Sequence, residues 1–181
     1  MRTPIACLLL ALSLACSTND EGLAATCTGA GCACATVNAC ACTAGTDCKT
    51  TCGPAGCALR CDTGAKCNAN SSGPTTLTCI DSSECKGKGG DASVISCVAS
   101  TKCELEAGAH STATCANAAS CKLHLGAGST VVCADGSSCD VKCTGDCAVT
   151  CGPLAKCDLE CGDGRPPATK CPDGRRVCGG C

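Results

Sequence analysis

Residues 97–132 decide the fold, and they read CVASTKCELEAGAHSTAT followed by CANAASCKLHLGAGSTVV. Each half has 18 residues and begins with a cysteine that a second cysteine follows six positions later. A fixed short period is typical of a solenoid, in which each repeat forms one turn of a coil. The first cysteines of the turns are Cys61, Cys79, Cys97, Cys115, Cys133 and Cys151, and the second ones are Cys67, Cys85, Cys103, Cys121, Cys139 and Cys157.

Inside each turn the residues alternate as two short strands would. With the first cysteine as position 1, small or apolar residues hold positions 7, 9, 11, 15 and 17, and more polar residues lie between them. Alternation with period two places these sets on opposite faces of a strand. Segments such as 126–128, with two glycines, predict tight bends between the strands. We therefore predict an all-β, disulfide-stapled β-solenoid with 18-residue turns and two short strands per turn.

The middle inward positions, 9 and 17, are predicted to face each other across the coil. Their sizes compensate from turn to turn, as a narrow interior of constant width requires. These pairs are Ala69 with Leu77, Gly87 with Ile95, Leu105 with Ala113, and Val141 with Val149.

Composition indicates an exported protein. The chain has 28 cysteines in 181 residues and no Phe, Tyr or Trp, so covalent links or metal must replace an ordinary core. Arg2 precedes an apolar run over residues 5–14, which is typical of an export signal and too short to span a bilayer. Exported cysteines usually form disulfides.

The segment Leu12-Ser-Leu-Ala-Cys16 resembles the lipobox of bacterial lipoproteins. The resemblance implies lipidation of Cys16 and attachment to the outer membrane or cell surface. Ser13 and Ala15 also suit an ordinary signal peptidase, so plain secretion remains an alternative. Loss of Cys7 and lipidation of Cys16 leave 26 thiols, an even number that can all pair.

The chain divides into five segments by composition and period. We expect a signal peptide over residues 1–15, a lipid-anchored polar tether over 16–26, an N-terminal cap with irregular turns over 27–60, regular turns over 61–160, and a Cys-rich C-terminal cap over 161–181.

We predict that each disulfide closes within one turn. Position 1 meets position 7 across a bend, whereas cysteines stacked on neighbouring strands have parallel Cβ vectors that aim the sulfurs poorly. The spacing leaves the pairing of Cys27, Cys32, Cys34, Cys40, Cys161, Cys171, Cys178 and Cys181 open. Besides the six regular pairs, the within-turn set contains Cys42 and Cys48, Cys52 with Cys57, and Cys143 with Cys147.

Outward positions 8 and 10 form what we call the charged face. Its charges are expected to alternate in sign along the stack, so that opposite charges reward in-register stacking. The charged face contains Asn68, Asn70, Lys86, Lys88, Glu104, Glu106, Lys122, His124, Asp140, Lys142, Asp158 and Glu160.

Outward positions 16 and 18 form the hydroxyl face, which carries no charge and is a candidate binding face. Its Thr-Cys-Thr and Cys-x5-Cys patterns resemble the beetle antifreeze solenoids, a resemblance that implies ice binding by stacked threonine pairs. Only two turns carry threonine at both positions, and Thr and Val are also good strand residues. The hydroxyl face contains Thr76, Thr78, Val94, Ser96, Thr112, Thr114, Thr130, Val132, Ala148 and Thr150.

Other function classes find less support. The spacing of Cys32-Ala-Cys34 and Cys40-Ala-Cys42 resembles that of metallothioneins, which implies metal binding as an alternative function. The two histidines, His110 and His124, lack a nucleophile arranged around them, so we expect no enzyme and no cofactor. A charge of −2 without a basic cluster excludes nucleic acid as a partner. We expect a display or interaction scaffold with a surface or protein partner of unknown identity.

Overall fold

A computed structural model describes residues 24–162 and 164–181 of the chain. Its secondary structure consists of short strands joined by tight bends. In chain order the strands are β1 (Thr26–Thr28), β2 (Cys32–Thr36), β3 (Ala39–Cys42), β4 (Asp47–Cys52), β5 (Cys57–Cys61), β6 (Lys66–Ser71), β7 (Thr75–Cys79), β8 (Glu84–Gly89), β9 (Val94–Val98), β10 (Lys102–Ala107), β11 (Thr112–Ala116), β12 (Ser120–Leu125), β13 (Ser129–Cys133), β14 (Ser138–Cys143), β15 (Cys147–Cys151), β16 (Lys156–Cys161), β17 (Thr169–Lys170) and β18 (Arg176–Cys178).

The strands form two sheets that run the length of a solenoid. The first sheet has eight strands in the order β1-β4-β6-β8-β10-β12-β14-β16, and the second has ten in the order β17-β18-β15-β13-β11-β9-β7-β5-β3-β2. Successive turns pair in parallel, and Cys103 lies in register with Cys85 and Cys121, each 18 residues away. The predicted all-β solenoid with 18-residue turns is therefore confirmed.

The interior between the sheets is a continuous column of small aliphatic side chains and disulfides. The alternating burial of each strand matches the period-two pattern, as in β10, where every second residue is buried. Bulky aromatic rings would not fit so narrow an interior. The largest buried aliphatic side chains are Leu59, Leu77, Ile95, Leu105, Leu123, Leu125, Val131, Val141, Val149 and Leu159.

The local backbone conformation requires glycine at position 87, whatever the width of the interior. Its φ is +146°, and a Cβ on Gly87 would lie 1.8 Å from the carbonyl oxygen of Ala69. The expectation that Gly87 is small in order to make room for Ile95 is therefore incomplete. The local backbone excludes any side chain at this position.

Buried hydroxyls at position 15 link the turns. The Ser93 hydroxyl accepts from the Thr75 amide at 3.0 Å, and the Ser129 hydroxyl accepts from the Ser111 amide at 3.1 Å. Each hydroxyl thereby satisfies a backbone donor that the bend leaves without a partner in the sheet. We call Thr75, Ser93, Ser111 and Ser129 the serine ladder.

Short strands of reversed direction cover both ends of the coil. At the N-terminal end β1 pairs antiparallel with β4, and β2 pairs antiparallel with β3. At the C-terminal end β18 pairs antiparallel with β15, and β17 with β18. This arrangement covers the open ends of a solenoid, as the cysteine-dense termini predict. In the described part of the chain no helix is long and apolar enough to cross a membrane.

Candidate interaction surfaces

The cysteines of the described residues are joined in thirteen disulfides. Along one edge of the coil the bonds close within single turns, across the bend between positions 1 and 7. These bonds are Cys42–Cys48, Cys61–Cys67, Cys79–Cys85, Cys97–Cys103, Cys115–Cys121, Cys133–Cys139 and Cys151–Cys157. At the other edge Cys52 pairs with Cys57 and Cys143 with Cys147, and Cys57 and Cys147 occupy the position that the serine ladder holds in the other turns.

The cysteines of the two caps form pairs that their spacing in the sequence does not determine. Cys27 pairs with Cys32, and Cys34 with Cys40, so that both bonds fasten the N-terminal cap. Their counterparts at the other end are Cys161–Cys178 and Cys171–Cys181. Disulfides on this scale are typical of exported proteins. The lipidation candidate Cys16 lies outside the described residues.

Sulfurs of neighbouring turns approach each other along the main edge. Cys61, Cys67 and Cys85 lie within 4.8 Å of one another, and so do Cys97, Cys103 and Cys121. Such triads have the spacing of a metal site, but thiolates rather than disulfide sulfurs bind metal. Metal capture at these positions would therefore require prior reduction. Cys27, Cys34 and Cys40 form a similar triad.

The charged face contains ion pairs that join neighbouring turns. Lys86 Nζ lies 3.1 Å from Glu104 Oε2, and Lys88 Nζ lies 2.6 Å from Glu106 Oε2. A third pair further along the stack joins Lys142 to Glu160 at 2.8 Å. The carboxylates, Lys86 and Lys88 are more than half exposed, and Lys142 is partly exposed, so solvent screens these ion pairs strongly.

The alternation of charge is incomplete. Lys122 lies in register between Glu104 and Asp140, as expected. Asp140, however, lies beside Asp158 in the same register, where the two charges have the same sign. Stacking at this step rests on the backbone ladder and on the neighbouring Lys142–Glu160 pair, because like charges directly opposite each other are unfavourable.

The ion pairs lower the pKa of two exposed carboxyls. A hydrogen bond from Lys86, followed by its charge, lowers the pKa of Glu104 below the ordinary value. Lys142 lowers the pKa of Glu160 in the same two ways. Both carboxylates are therefore ionised throughout the neutral range.

A shallow groove runs along the charged face. It follows the turns from Lys49 to His124, and its floor holds the short side chains of Asn68 and Asn70. His124 lies on β12 at the end of this groove, whereas His110 lies in a bend with φ +57°. The structure thus leaves the two histidines in different environments and does not assemble them into one site.

The hydroxyl face lies on the opposite side of the coil and is in register over its whole length. One column contains Thr76, Val94, Thr112, Thr130 and Ala148. The parallel column contains Thr78, Ser96, Thr114, Val132 and Thr150. Val94 and Val132 are 47% and 45% exposed, so apolar groups interrupt the hydroxyls on the surface.

The serine ladder is the feature that sequence reasoning missed. The period-two pattern places Ser111 and Ser129 inward and gives them no further role. The signal was present, because four successive turns carry Ser or Thr at position 15. At position 5, by contrast, Ser83 has the one buried side-chain hydroxyl without a hydrogen-bond partner among the described residues.

Comparison with known proteins adds no assignment to these surfaces. No protein-family model matches the chain, and neither a curated protein nor a solved structure shows significant similarity to it.

Proposed function

We propose that this protein is a non-enzymatic scaffold, exported and lipid-anchored through Cys16, that displays its two long faces at a cell surface. The observation that carries the proposal is the distribution of side chains between the interior and the surface. Cysteines and small aliphatic residues fill the interior, and charged and hydroxyl side chains lie on the two outward faces. A partner would bind to one of these faces.

The filled interior favours display over catalysis. Enzyme sites usually occupy concave pockets that contain titrating groups with shifted pKa values. Here the groove of the charged face is shallow, and the carboxyls whose pKa is lowered belong to exposed ion pairs between turns. A stack of closed disulfide loops also resists local opening, which suits a rod exposed to proteases.

The anchor can be tested with a single substitution. In a bacterial host that processes lipoproteins, the native chain is expected in the membrane fraction, and Cys16→Ala is expected to be released in soluble form. Labelling of intact cells with a membrane-impermeant amine reagent should modify Lys86 and Lys122 if the charged face is displayed outside. Cytoplasmic retention of the native chain, or unchanged membrane attachment of Cys16→Ala, would contradict the proposal.

Ice binding is a second candidate, and the threonine pairs support it. Thr76 with Thr78 and Thr112 with Thr114 lie outward on the hydroxyl face, in register with the neighbouring turns. If these pairs bind ice, purified protein should show thermal hysteresis that Thr112→Tyr with Thr114→Tyr abolishes. Asn68→Tyr with Asn70→Tyr, on the charged face, is the matched control. Absence of hysteresis in the native protein would remove this candidate.

Metal binding is the third candidate, and it requires a reducing step. The triad of Cys61, Cys67 and Cys85, like the similar triads of neighbouring turns, would offer thiolates only after its disulfides open. Metal analysis of the natively exported protein, before and after reduction, tests this candidate directly. Stoichiometric metal in the unreduced protein would favour it over the scaffold.

A further inference from the structure

The charged face has opposite charges on the two sides of its centre. The first sheet has eight strands, so its midpoint lies between β8 and β10. At positions 8 and 10 of their turns, β8 carries Lys86 and Lys88, and β10 carries Glu104 and Glu106. Their side chains are more than half exposed, so their charges are available to a second molecule.

We propose that the charged face is a docking surface for a second copy of this chain, which binds antiparallel and face to face. The symmetry axis runs along the strands, between β8 and β10. Rotation by 180° about it places Lys86 of each copy opposite Glu104 of the other, and Lys88 opposite Glu106. Each contact occurs twice because the interface is isologous, which gives four opposite-charge contacts at its centre.

The next strands outward fit each other by size. The rotation places β6 of each copy on β12 of the other. The short amides Asn68 and Asn70 then lie opposite the longer side chains Lys122 and His124, all at outward positions. The groove above Asn68 and Asn70 provides room for those longer side chains. Long side chains opposite short ones provide the shape complementarity that an interface requires.

The outer strands continue the charge complementarity. β4 of each copy lies on β14 of the other, so Lys49 faces Asp140 and Thr51 faces Lys142. Within the described chain neither Lys49 nor Asp140 takes part in an ion pair. The second copy would therefore provide an ion-pair partner for two groups that form no ion pair in the monomer.

Several other registers bring like charges together. If the axis is moved by half a strand spacing, β8 lies on β8 or β10 on β10, so that lysine faces lysine or glutamate faces glutamate. An axis between β10 and β12 places Lys88 opposite Lys142. A parallel arrangement of the two rods also stacks β8 on β8. Like charges in contact suppress such arrangements. An axis between β10 and β12 also places Glu104 opposite Lys122, but it overlaps only six strands, whereas the centred antiparallel register overlaps all eight.

The size of the face suits a specific but weak dimer. Eight strands at a spacing of about 4.8 Å and a strand length of about 20 Å give roughly 750 Å² per copy. That area is close to the roughly 800 Å² per partner of a standard interface. Because the contacts are mostly exposed ion pairs, we expect salt to weaken the dimer. The pairing does not depend on the proposed lipid anchor, although it would place two anchors at opposite ends of the pair.

Sedimentation of the purified, oxidised protein tests the dimer. We expect dimers at low ionic strength and an increase of at least about tenfold in Kd when salt rises to roughly 0.5 M. Carbodiimide treatment should also link Lys49 to Asp140. These residues lie five strand spacings apart in one chain, about 24 Å, so this link reports the antiparallel pair. A monomer at every salt concentration, or a dimer without this link, would overturn the proposal.

Charge reversal provides the matched variants. The double variants Lys86→Glu/Lys88→Glu and Glu104→Lys/Glu106→Lys should each be monomeric, and an equal mixture of the two should form a heterodimer. The variant that carries all four changes should dimerise again, which excludes loss of folding as the cause. The control variant Lys170→Glu/Arg176→Glu lowers the net charge as much as Lys86→Glu/Lys88→Glu does, but at residues away from the charged face. It should dimerise as the native chain does. Dimers of either double variant alone, at native affinity, would contradict the proposed contacts.

Discussion

The hydroxyl of Ser111 accepts a hydrogen bond from the amide of Ser93, one turn earlier, at 3.1 Å. The same hydroxyl donates to the carbonyl oxygen of Gly108 in its own turn at 2.9 Å. One small side chain thus satisfies two buried backbone groups and ties one bend to the next. Buried backbone groups are costly when unpaired, so this relationship contributes to the register of the stack.

Removal of this hydroxyl should destabilise two adjacent turns. Ser111→Ala leaves the Ser93 amide without an acceptor, which we expect to cost about 1–3 kcal/mol. Hydrogen exchange of the Ser93 amide should accelerate strongly, and the free energy of unfolding of the oxidised protein should fall. Ser120→Ala, at an exposed position of the next repeat, is the control and should change neither. Native protection of the Ser93 amide in Ser111→Ala would contradict the role given to the serine ladder.

The central disulfide Cys115–Cys121 should contribute more to the free energy of unfolding than Cys151–Cys157, which lies nearer the C-terminal end. Replacement of both Cys115 and Cys121 by alanine removes a loop constraint of about 2 kcal/mol and leaves a cavity between packed turns. The same double replacement at Cys151 and Cys157, which are partly exposed near the C-terminal end, removes a loop of equal length with less packing. Guanidinium denaturation should therefore show the larger loss for the central pair. Equal losses would indicate that loop closure alone determines the effect.

Gly87 should tolerate no side chain. Its φ of +146° and the 1.8 Å approach of a Cβ to the Ala69 carbonyl oxygen require the backbone of β8 to move in Gly87→Ala. Strain of this kind costs about 1–3 kcal/mol, and displacement of the strand adds to it. Gly180→Ala, where a Cβ meets no atom within 4 Å, is the control and should unfold as the native chain does. A Gly87→Ala variant of native stability would show that the strand adapts.

The ion pairs predict how the charged face responds to acid. The pKa of Glu104 is lowered in the folded state, so its contribution to stability is present above the ordinary glutamate pKa and is lost as the pH falls through the lowered value. Lys86→Gln should raise the pKa of Glu104 towards the ordinary value. The pKa of Glu160, which Lys142 lowers, should not change and serves as the internal control. Carboxyl carbon chemical shifts recorded against pH measure both, and an unchanged Glu104 midpoint in the variant would contradict the pairing.

Much of the fold could be predicted because its signal is periodic. Alternating Leu105 and Leu123 with charged neighbours indicated which side of a strand is buried, and the recurring cysteines at Cys103 and Cys121 gave the length of the turn. Local spacing also indicates within-turn disulfides, since the bend between positions 1 and 7 brings the two cysteines together. Register then follows from the repeat itself.

The ends and the backbone details could not be predicted in the same way. Cys161 and Cys178 pair across the C-terminal cap, whose strand runs antiparallel to the stack, and no repeat specifies such a reversal. The unusual backbone of Gly87 is equally invisible, because a glycine opposite Ile95 also fits a simple argument from size. The charged face could be located from the sequence, but the like-charged step from Asp140 to Asp158 became clear only with the full register.

The stapled solenoid depends most directly on the state of its cysteines in the natively exported protein, and intact mass before and after reduction and alkylation measures that state. We predict no alkylation of the unreduced chain, 26 alkylated cysteines after reduction, and a lipid increment on Cys16. Free thiols among residues 27–181, or bound metal in their place, would contradict a solenoid held together by disulfides.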